Sequence, residues 1–100
     1  MIKRHIFYIG LNDKNSYRQE VPTIQAYKII KGVIGDCTIT DGKGIYTHAN
    51  GTQVLETTLI VEVLDFNNNF NYTTVAGTLK TLLNQESIVV IHDSINSELI

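Results

Sequence analysis

The chain has 100 residues, of which 43% are hydrophobic, and its ten acidic and eight basic side chains give a formal net charge of −2. This size supports one hydrophobic core, so we predict a single domain over residues 1–100; the lack of any basic block longer than Lys3-Arg4 argues against a nucleic-acid partner. With one cysteine, no leader pattern and no apolar run near the ~20 residues of a membrane helix, we expect a cytoplasmic protein without a disulfide or a membrane partner.

The first part of the sequence predicts a strand followed by a helix. Residues 3–11 are apolar on both alternating faces, which is typical of an interior strand. Residues 12–21 are polar and predict a loop. A helix is expected to begin at Pro22, which suits a first helical turn, and to end near Gly32 and Gly35. Its apolar stripe consists of Ala26, Tyr27, Ile30, Val33 and Ile34.

A long β-hairpin is predicted from Gly35 to Glu62. Its first strand, strand two of the chain, runs from about Asp36 to His48. Asn50-Gly51 predicts a tight two-residue turn, because both residue types reach positive φ at low cost. Two glycines interrupt strand two within Asp41-Gly42-Lys43-Gly44, which indicates a bulge or a close approach of backbone.

The other strand of the hairpin, strand three, presents two different faces. One face is aliphatic and belongs to the core, whereas the other carries Glu56 and Glu62 between aliphatic residues. The second face is too apolar for free contact with water and too charged for an ordinary core. It is therefore the face that we expect to meet another molecule.

The last part of the sequence predicts a second helix and a fourth strand. Asn71 caps the helix, whose apolar stripe begins at Tyr72 and continues to Leu83. Within the segment from Ser87 to His92, four consecutive aliphatic residues predict a strand that is buried on both faces.

The resulting order β-α-β-β-α-β predicts an α+β domain, a ferredoxin-like sandwich. Right-handed crossovers give a four-stranded antiparallel sheet of order 4-1-3-2 with two helices on one face. Because two helices cover only one side of the sheet, we expect a homo-oligomer, a dimer or trimer, joined through the uncovered face or an edge.

No catalytic constellation, metal site or cofactor is predicted. His5, His48 and His92 have no metal-ligand spacing, so we interpret them as structural histidines. Glu56 and Glu62 are separated by roughly 20 Å along one strand, too far to act on one bond. If the chain binds a small ligand, we expect a cleft beside the two glycines of strand two, where side chains converge with Tyr8. The candidate ligand-binding residues are Asp41, Lys43, Tyr46, Glu56 and Gln85.

The hairpin and the segment Gln85-Glu86-Ser87 resemble an uncharacterised bacterial domain family with the pattern G-x-T-x-x-D-G-x-G-x-W, then a glutamate, then Q-E-S-V. This resemblance implies the fold and no particular activity. More distantly, the topology is similar to that of the PII-like signalling proteins, which are trimers that bind nucleotides between subunits. The signature positions of the bacterial family fall on Thr38, Asp41, Gly42, Gly44, Glu56, Gln85, Glu86 and Ser87, with Tyr46 in place of the tryptophan.

Three functional hypotheses follow from these observations. The favoured one is a non-enzymatic, homo-oligomeric binding or regulatory domain, because the sheet has an uncovered face and no catalytic constellation is evident. The second is a small enzyme or ligand-sequestering protein with a cleft near Asp41-Gly42-Lys43-Gly44. The third is a phage-type inhibitor of a host protein, which the small size permits.

Overall fold

Six regular elements follow one another in the order β-α-β-β-α-β in the computed structural model, which describes residues 1–100. Neither helix is long and apolar enough to cross a membrane. The fourth strand begins and ends later in the chain than the sequence pattern predicted. The elements are β1 (Ile2–Gly10), α1 (Thr23–Ile34), β2 (Thr38–Thr47), β3 (Gln53–Asp65), α2 (Tyr72–Leu82) and β4 (Val89–Ile95).

The four strands form one antiparallel sheet in the order β2-β3-β1-β4. This order is the predicted one read from the other edge, and it confirms the ferredoxin-like fold. Strand β1 lies between β3 and β4, with Phe7 paired to Val61 on one side and to Val90 on the other. Its interior position explains why its sequence is apolar on both faces.

The core lies between the two helices and one face of the sheet. Phe7, Ile9, Leu59 and Val61 from the sheet are fully buried, and Ile30 of α1 is buried against them. Helix α2 is capped as predicted, because the side chain of its N-cap residue accepts a hydrogen bond from a backbone N–H of the first turn. The helices therefore cover one face of the sheet, which we call the helix face, and leave the other open.

The open face carries aliphatic side chains at the β4 edge. Val89 is 55% exposed and Ile91 46% exposed, so the prediction that β4 is buried on both faces was wrong. The reason is that alternate residues of a strand point to opposite faces and no helix covers this one. Contact of this face with a second copy stays a prediction.

The connection between β2 and β3 differs from the predicted two-residue turn. The N–H of His48 donates to the carbonyl of Thr52 at 2.8 Å, and the N–H of Gly51 donates to the carbonyl of His48 at 2.9 Å. Only Gly51 within this loop has a positive φ, of 87°. The loop therefore has three residues and ends on a left-handed glycine, the second common solution for a hairpin.

Strand β2 contains no bulge. Its pairing with β3 continues without interruption from Thr38 opposite Glu62 to Thr47 opposite Gln53. A close approach of backbone does not explain Gly44 either, because a Cβ atom there would collide with two side chains, the ring of Tyr46 and the hydroxyl of Thr58. The glycine thus makes room for an aromatic side chain of its own strand.

A buried histidine lies at the end of the sheet where β1 begins. His5 is 2% exposed, and neither ring nitrogen has a hydrogen-bond partner. Its Nε2 lies 3.9 Å from Oδ2 of Asp65, and its ring is 5.0 Å from that of Phe70 and 5.5 Å from that of Tyr72. Burial lowers the pKa of His5 below its usual 6.5, although the carboxylate of Asp65 opposes the shift.

This burial predicts a loss of stability in acid. Because His5 binds a proton less readily in the folded protein than in the unfolded chain, the unfolded chain binds more protons as the pH falls below 6.5, and the free energy of unfolding declines. We expect His5→Phe, which keeps an aromatic ring among aromatic neighbours, to flatten this part of the pH profile. Urea unfolding of the wild-type protein and the variant at about pH 8 and about pH 5.5 measures the change in the free energy of unfolding. An equal loss in the variant would assign the acid sensitivity to other groups.

Candidate functional site

A pocket lies on the open face, at the end of the sheet opposite to His5. We call it the Glu56 pocket, because that carboxylate is its most buried charged group. Its volume is about 120 Å³. The lining comes from three separated parts of the chain: the end of β1, the hairpin, and the connection from α2 to β4. The lining residues are Tyr8, Gly10, Tyr46, Thr47, His48, Glu56, Gln85, Glu86, Ser87 and Val89.

The carboxylate of Glu56 lies over the backbone of β1. Glu56 is 8% exposed, and its Oε2 accepts a hydrogen bond of 2.7 Å from the N–H of Asn12, just beyond the end of β1. A Cβ atom at Gly10 would collide with this carboxyl group. Glycine at position 10 therefore provides the space in which the carboxylate of β3 is buried.

The charge of Glu56 is only partly compensated. Burial is the main reason why its pKa is raised above the usual 4.5, and the nearby carboxylate of Glu86 acts in the same direction. The N–H of Asn12 and the imidazole of His48 oppose this shift. A cation placed in the pocket would favour the ionised form of Glu56 and would in turn be bound by it.

Gln85 fixes the connection from α2 to β4 against the end of β1. Its side chain is buried, and its Nε2 donates to the carbonyl of Asn12 at 2.9 Å and to the carbonyl of Leu83 at 3.1 Å. The peptide groups around Asn12 thus bind Glu56 on one side and Gln85 on the other. Gln85 shapes the pocket wall, and both of its amide hydrogens are used in doing so.

Two tyrosines line the pocket from strands on either side of β3. Tyr8 belongs to β1 and Tyr46 to β2, and Tyr46 is 37% exposed. The hydroxyl of Thr58 lies 3.5 Å from that of Tyr46. The pocket therefore combines a buried carboxylate with two aromatic side chains, an arrangement that suits a cationic group.

A histidine and a second glutamate form the wall nearest the hairpin loop. Nδ1 of His48 lies 3.1 Å from Oε1 of Glu86, and the ring of Tyr17 stacks on the imidazole with 4.0 Å between centroids. Nε2 of His48 is buried without a partner. No spacing in the sequence indicates this arrangement, because it joins residues far apart along the chain.

The structure brings together three of the five predicted ligand-binding residues. Tyr46, Glu56 and Gln85 line the Glu56 pocket together with Tyr8, and that they bind a ligand stays a prediction. Asp41 and Lys43 do not join them, because they alternate with Tyr46 along β2 and so lie on its helix face. Asp41 accepts a hydrogen bond from the hydroxyl of Tyr27, and Nζ of Lys43 donates to Thr57 at 3.0 Å.

Gly10, His48 and Glu86 also line the pocket, although they were not among the five predicted ligand-binding residues. Glu86 had a signal in the sequence, since it belongs to the Gln85-Glu86-Ser87 segment of the family resemblance. Gly10 had none, because its role depends on the register of β1 against β3. No group of three or more histidine, cysteine or acidic side chains in the chain is arranged to hold a metal ion.

Comparison with known proteins gives a fold relationship. No family model matches the chain, and no curated protein matches it. Two solved structures of a phage SAM lyase are similar to it, one in complex with S-methyl-5′-thioadenosine and one in the apo state. The complex has a TM-score of 0.72 and 17% identity, over 92% of this chain and 80% of the lyase chain. The apo state has a TM-score of 0.71 and 17% identity, over 91% and 78%.

The raised pKa of Glu56 predicts a pH dependence opposite to that of His5. The folded protein holds the proton of Glu56 more tightly than the unfolded chain does, so ionisation destabilises the fold as the pH rises from 4.5 through the raised pKa. Relative to Glu56→Gln, the wild-type protein should lose stability over this interval. Urea unfolding at about pH 4.5 and about pH 7.5 measures the difference. Parallel profiles would show that Glu56 ionises without cost.

Proposed function

We propose that the protein binds S-adenosylmethionine in the Glu56 pocket and cleaves it to S-methyl-5′-thioadenosine. The observation that carries this proposal is the buried carboxylate of Glu56 beside Tyr8 and Tyr46. The fold similarity to a phage SAM lyase supports it, because the similarity extends over nearly the whole chain.

The sulfonium group of S-adenosylmethionine matches the chemistry of this pocket. It carries a permanent positive charge on sulfur and has no hydrogen to donate, so a protein recognises it through carboxylates and aromatic faces. Glu56 is buried and only partly compensated by the N–H of Asn12. Binding the sulfonium therefore lowers the cost of keeping this carboxylate ionised away from water.

The cleavage balances without water or a cofactor when the carboxylate of the ligand itself is the nucleophile. One of its oxygens forms a bond to Cγ, the bond between Cγ and sulfur breaks, and the electron pair stays on sulfur. The products are neutral S-methyl-5′-thioadenosine and homoserine lactone. Because opposite charges on the ligand neutralise each other, a site shielded from water favours the step. Glu56, which is 8% exposed, then acts mainly in binding and shielding.

The size of the pocket connects this proposal with the predicted assembly. The cavity of about 120 Å³ is smaller than the roughly 300–1,000 Å³ of ordinary small-molecule sites. The sulfonium end of the ligand fits at Glu56, while the nucleoside extends along the open face. A second copy of the chain on this face, in a dimer or trimer, would enclose the nucleoside and cover Val89 and Ile91.

A non-enzymatic binding protein is the second candidate function. The same pocket can hold the sulfonium ligand without aligning its carboxylate with Cγ, in which case the protein sequesters the ligand. Binding without product formation would support this alternative.

The activity is tested by incubating the protein with S-adenosylmethionine and separating the products by liquid chromatography. We expect S-methyl-5′-thioadenosine and homoserine lactone in equal amounts. Glu56→Gln should raise KM for S-adenosylmethionine by about tenfold or more, the effect of losing one charged partner. Asp41→Asn, a carboxylate on the helix face, is the matched control and should behave as wild type. If the wild-type protein neither binds nor consumes S-adenosylmethionine, the proposal is wrong.

The assembly is tested by size-exclusion chromatography with light scattering. We expect a dimer or trimer, and Ile91→Lys should shift it toward the monomer by placing a charge on the open face. Circular dichroism of the variant controls for folding. A strict monomer at tens of micromolar wild-type protein would contradict the assembly.

A further inference from the structure

The Glu56 pocket contains a second carboxylate to which the proposed function assigns no task. The side chain of Glu86 is 34% exposed, whereas Glu56 is 8% exposed. The two therefore lie at different depths, Glu56 at the floor and Glu86 at the rim. They also interact, since Glu86 is one of the groups that raise the pKa of Glu56.

Glu86 is held in place by its neighbours. Its Oε1 lies 3.1 Å from Nδ1 of His48 and 3.5 Å from the N–H of Ala49. The imidazole of His48 is nearly enclosed, and Tyr17 stacks on it with an angle of 19° between the rings. The contacts to His48 and to the N–H of Ala49 therefore fix the position of the Glu86 carboxylate at the rim of the pocket.

The loop that supplies Tyr17 is also fixed. Tyr17 has a φ of 61°, which is uncommon for an aromatic residue. The loop is bound to the end of α2, because Nδ2 of Asn84 donates to Asp13 at 2.7 Å and the N–H of Lys14 donates to the carbonyl of Asn84 at 2.9 Å. The strained residue therefore lies beside a candidate binding site, where such conformations concentrate.

Two carboxylates at different depths match a ligand with two cationic centres. S-Adenosylmethionine has a sulfonium and an α-ammonium group separated by three carbon atoms. We propose that Glu86 binds the α-ammonium group of the ligand and that His48 is the positioning residue that orients Glu86. This inference rests on the proposed function, and it makes the amino-acid part of the ligand a determinant of specificity.

The test compares two stable ligands that differ only in the amino-acid part of interest. S-Adenosylhomocysteine has the α-ammonium group and no sulfonium, whereas S-methyl-5′-thioadenosine has the same nucleoside and neither cation. Isothermal titration should show that Glu86→Gln lowers the affinity for S-adenosylhomocysteine by about 10- to 100-fold, as expected for a lost charge-assisted hydrogen bond. The affinity for S-methyl-5′-thioadenosine should not change, which also shows that the variant is folded.

The role of His48 is tested by the ratio of the two affinities. His48→Phe keeps an aromatic ring against Tyr17 and removes the contact to Glu86. It should therefore lower the affinity for S-adenosylhomocysteine and leave the affinity for S-methyl-5′-thioadenosine unchanged. His48→Gln, which retains a side-chain N–H, should restore part of the loss. If His48 had only a structural role, both variants would lower the affinities for the two ligands equally.

Three outcomes would overturn the inference. An equal loss of affinity for both ligands in Glu86→Gln would mean that Glu86 contacts the nucleoside. Unchanged affinities would mean that Glu86 does not contact the ligand. In both cases the proposed function survives, because wild-type protein still binds the ligands. If wild-type protein binds neither of these ligands nor S-adenosylmethionine, the proposed function itself fails and the inference fails with it.

Discussion

The burial of the Glu56 carboxylate over Gly10 is the constraint on which the architecture of the pocket depends. A charged group of β3 can occupy this position only because the adjacent strand has no side chain there and because the N–H of Asn12 points at it. These two features come from the end of β1, one of the two interior strands of the sheet, and from the residues just beyond it. The placement of the charge therefore depends on the backbone of β1 and its continuation, and the remaining pocket residues are arranged around it.

The fold could be predicted from the sequence because its signals are local and agree with one another. Alternating apolar residues, the helical stripe of α1 and the cap at Asn71 each specify one element, and the short connections leave few topologies. The errors have equally physical causes. The glycines of β2 suggested a bulge, yet Gly44 is required by the ring of Tyr46, and that requirement is visible only when the side chain is placed.

Only the part of the site that follows from the alternation of side chains along strands could be predicted from the sequence. Asp41 and Lys43 differ from Tyr46 in parity along β2, so strict use of the two-residue period would have placed them on the other face. Tyr46 and Glu56 lie on the same face and close together because the register of the hairpin places Gly44 opposite Glu56. The contact between His48 and Glu86, in contrast, depends on the packing of two loops, and no spacing within the chain reports it.

The backbone of Asn12 contacts two pocket residues, so it would respond when a ligand binds. Its N–H binds the pocket floor and its carbonyl binds Gln85, so one residue joins β3 to the segment that leads into β4. A ligand that attracts the Glu56 carboxylate would change the strength of the first hydrogen bond. The Asn12 amide is therefore a natural spectroscopic reporter, whose proton resonance would register occupation of the site without any label.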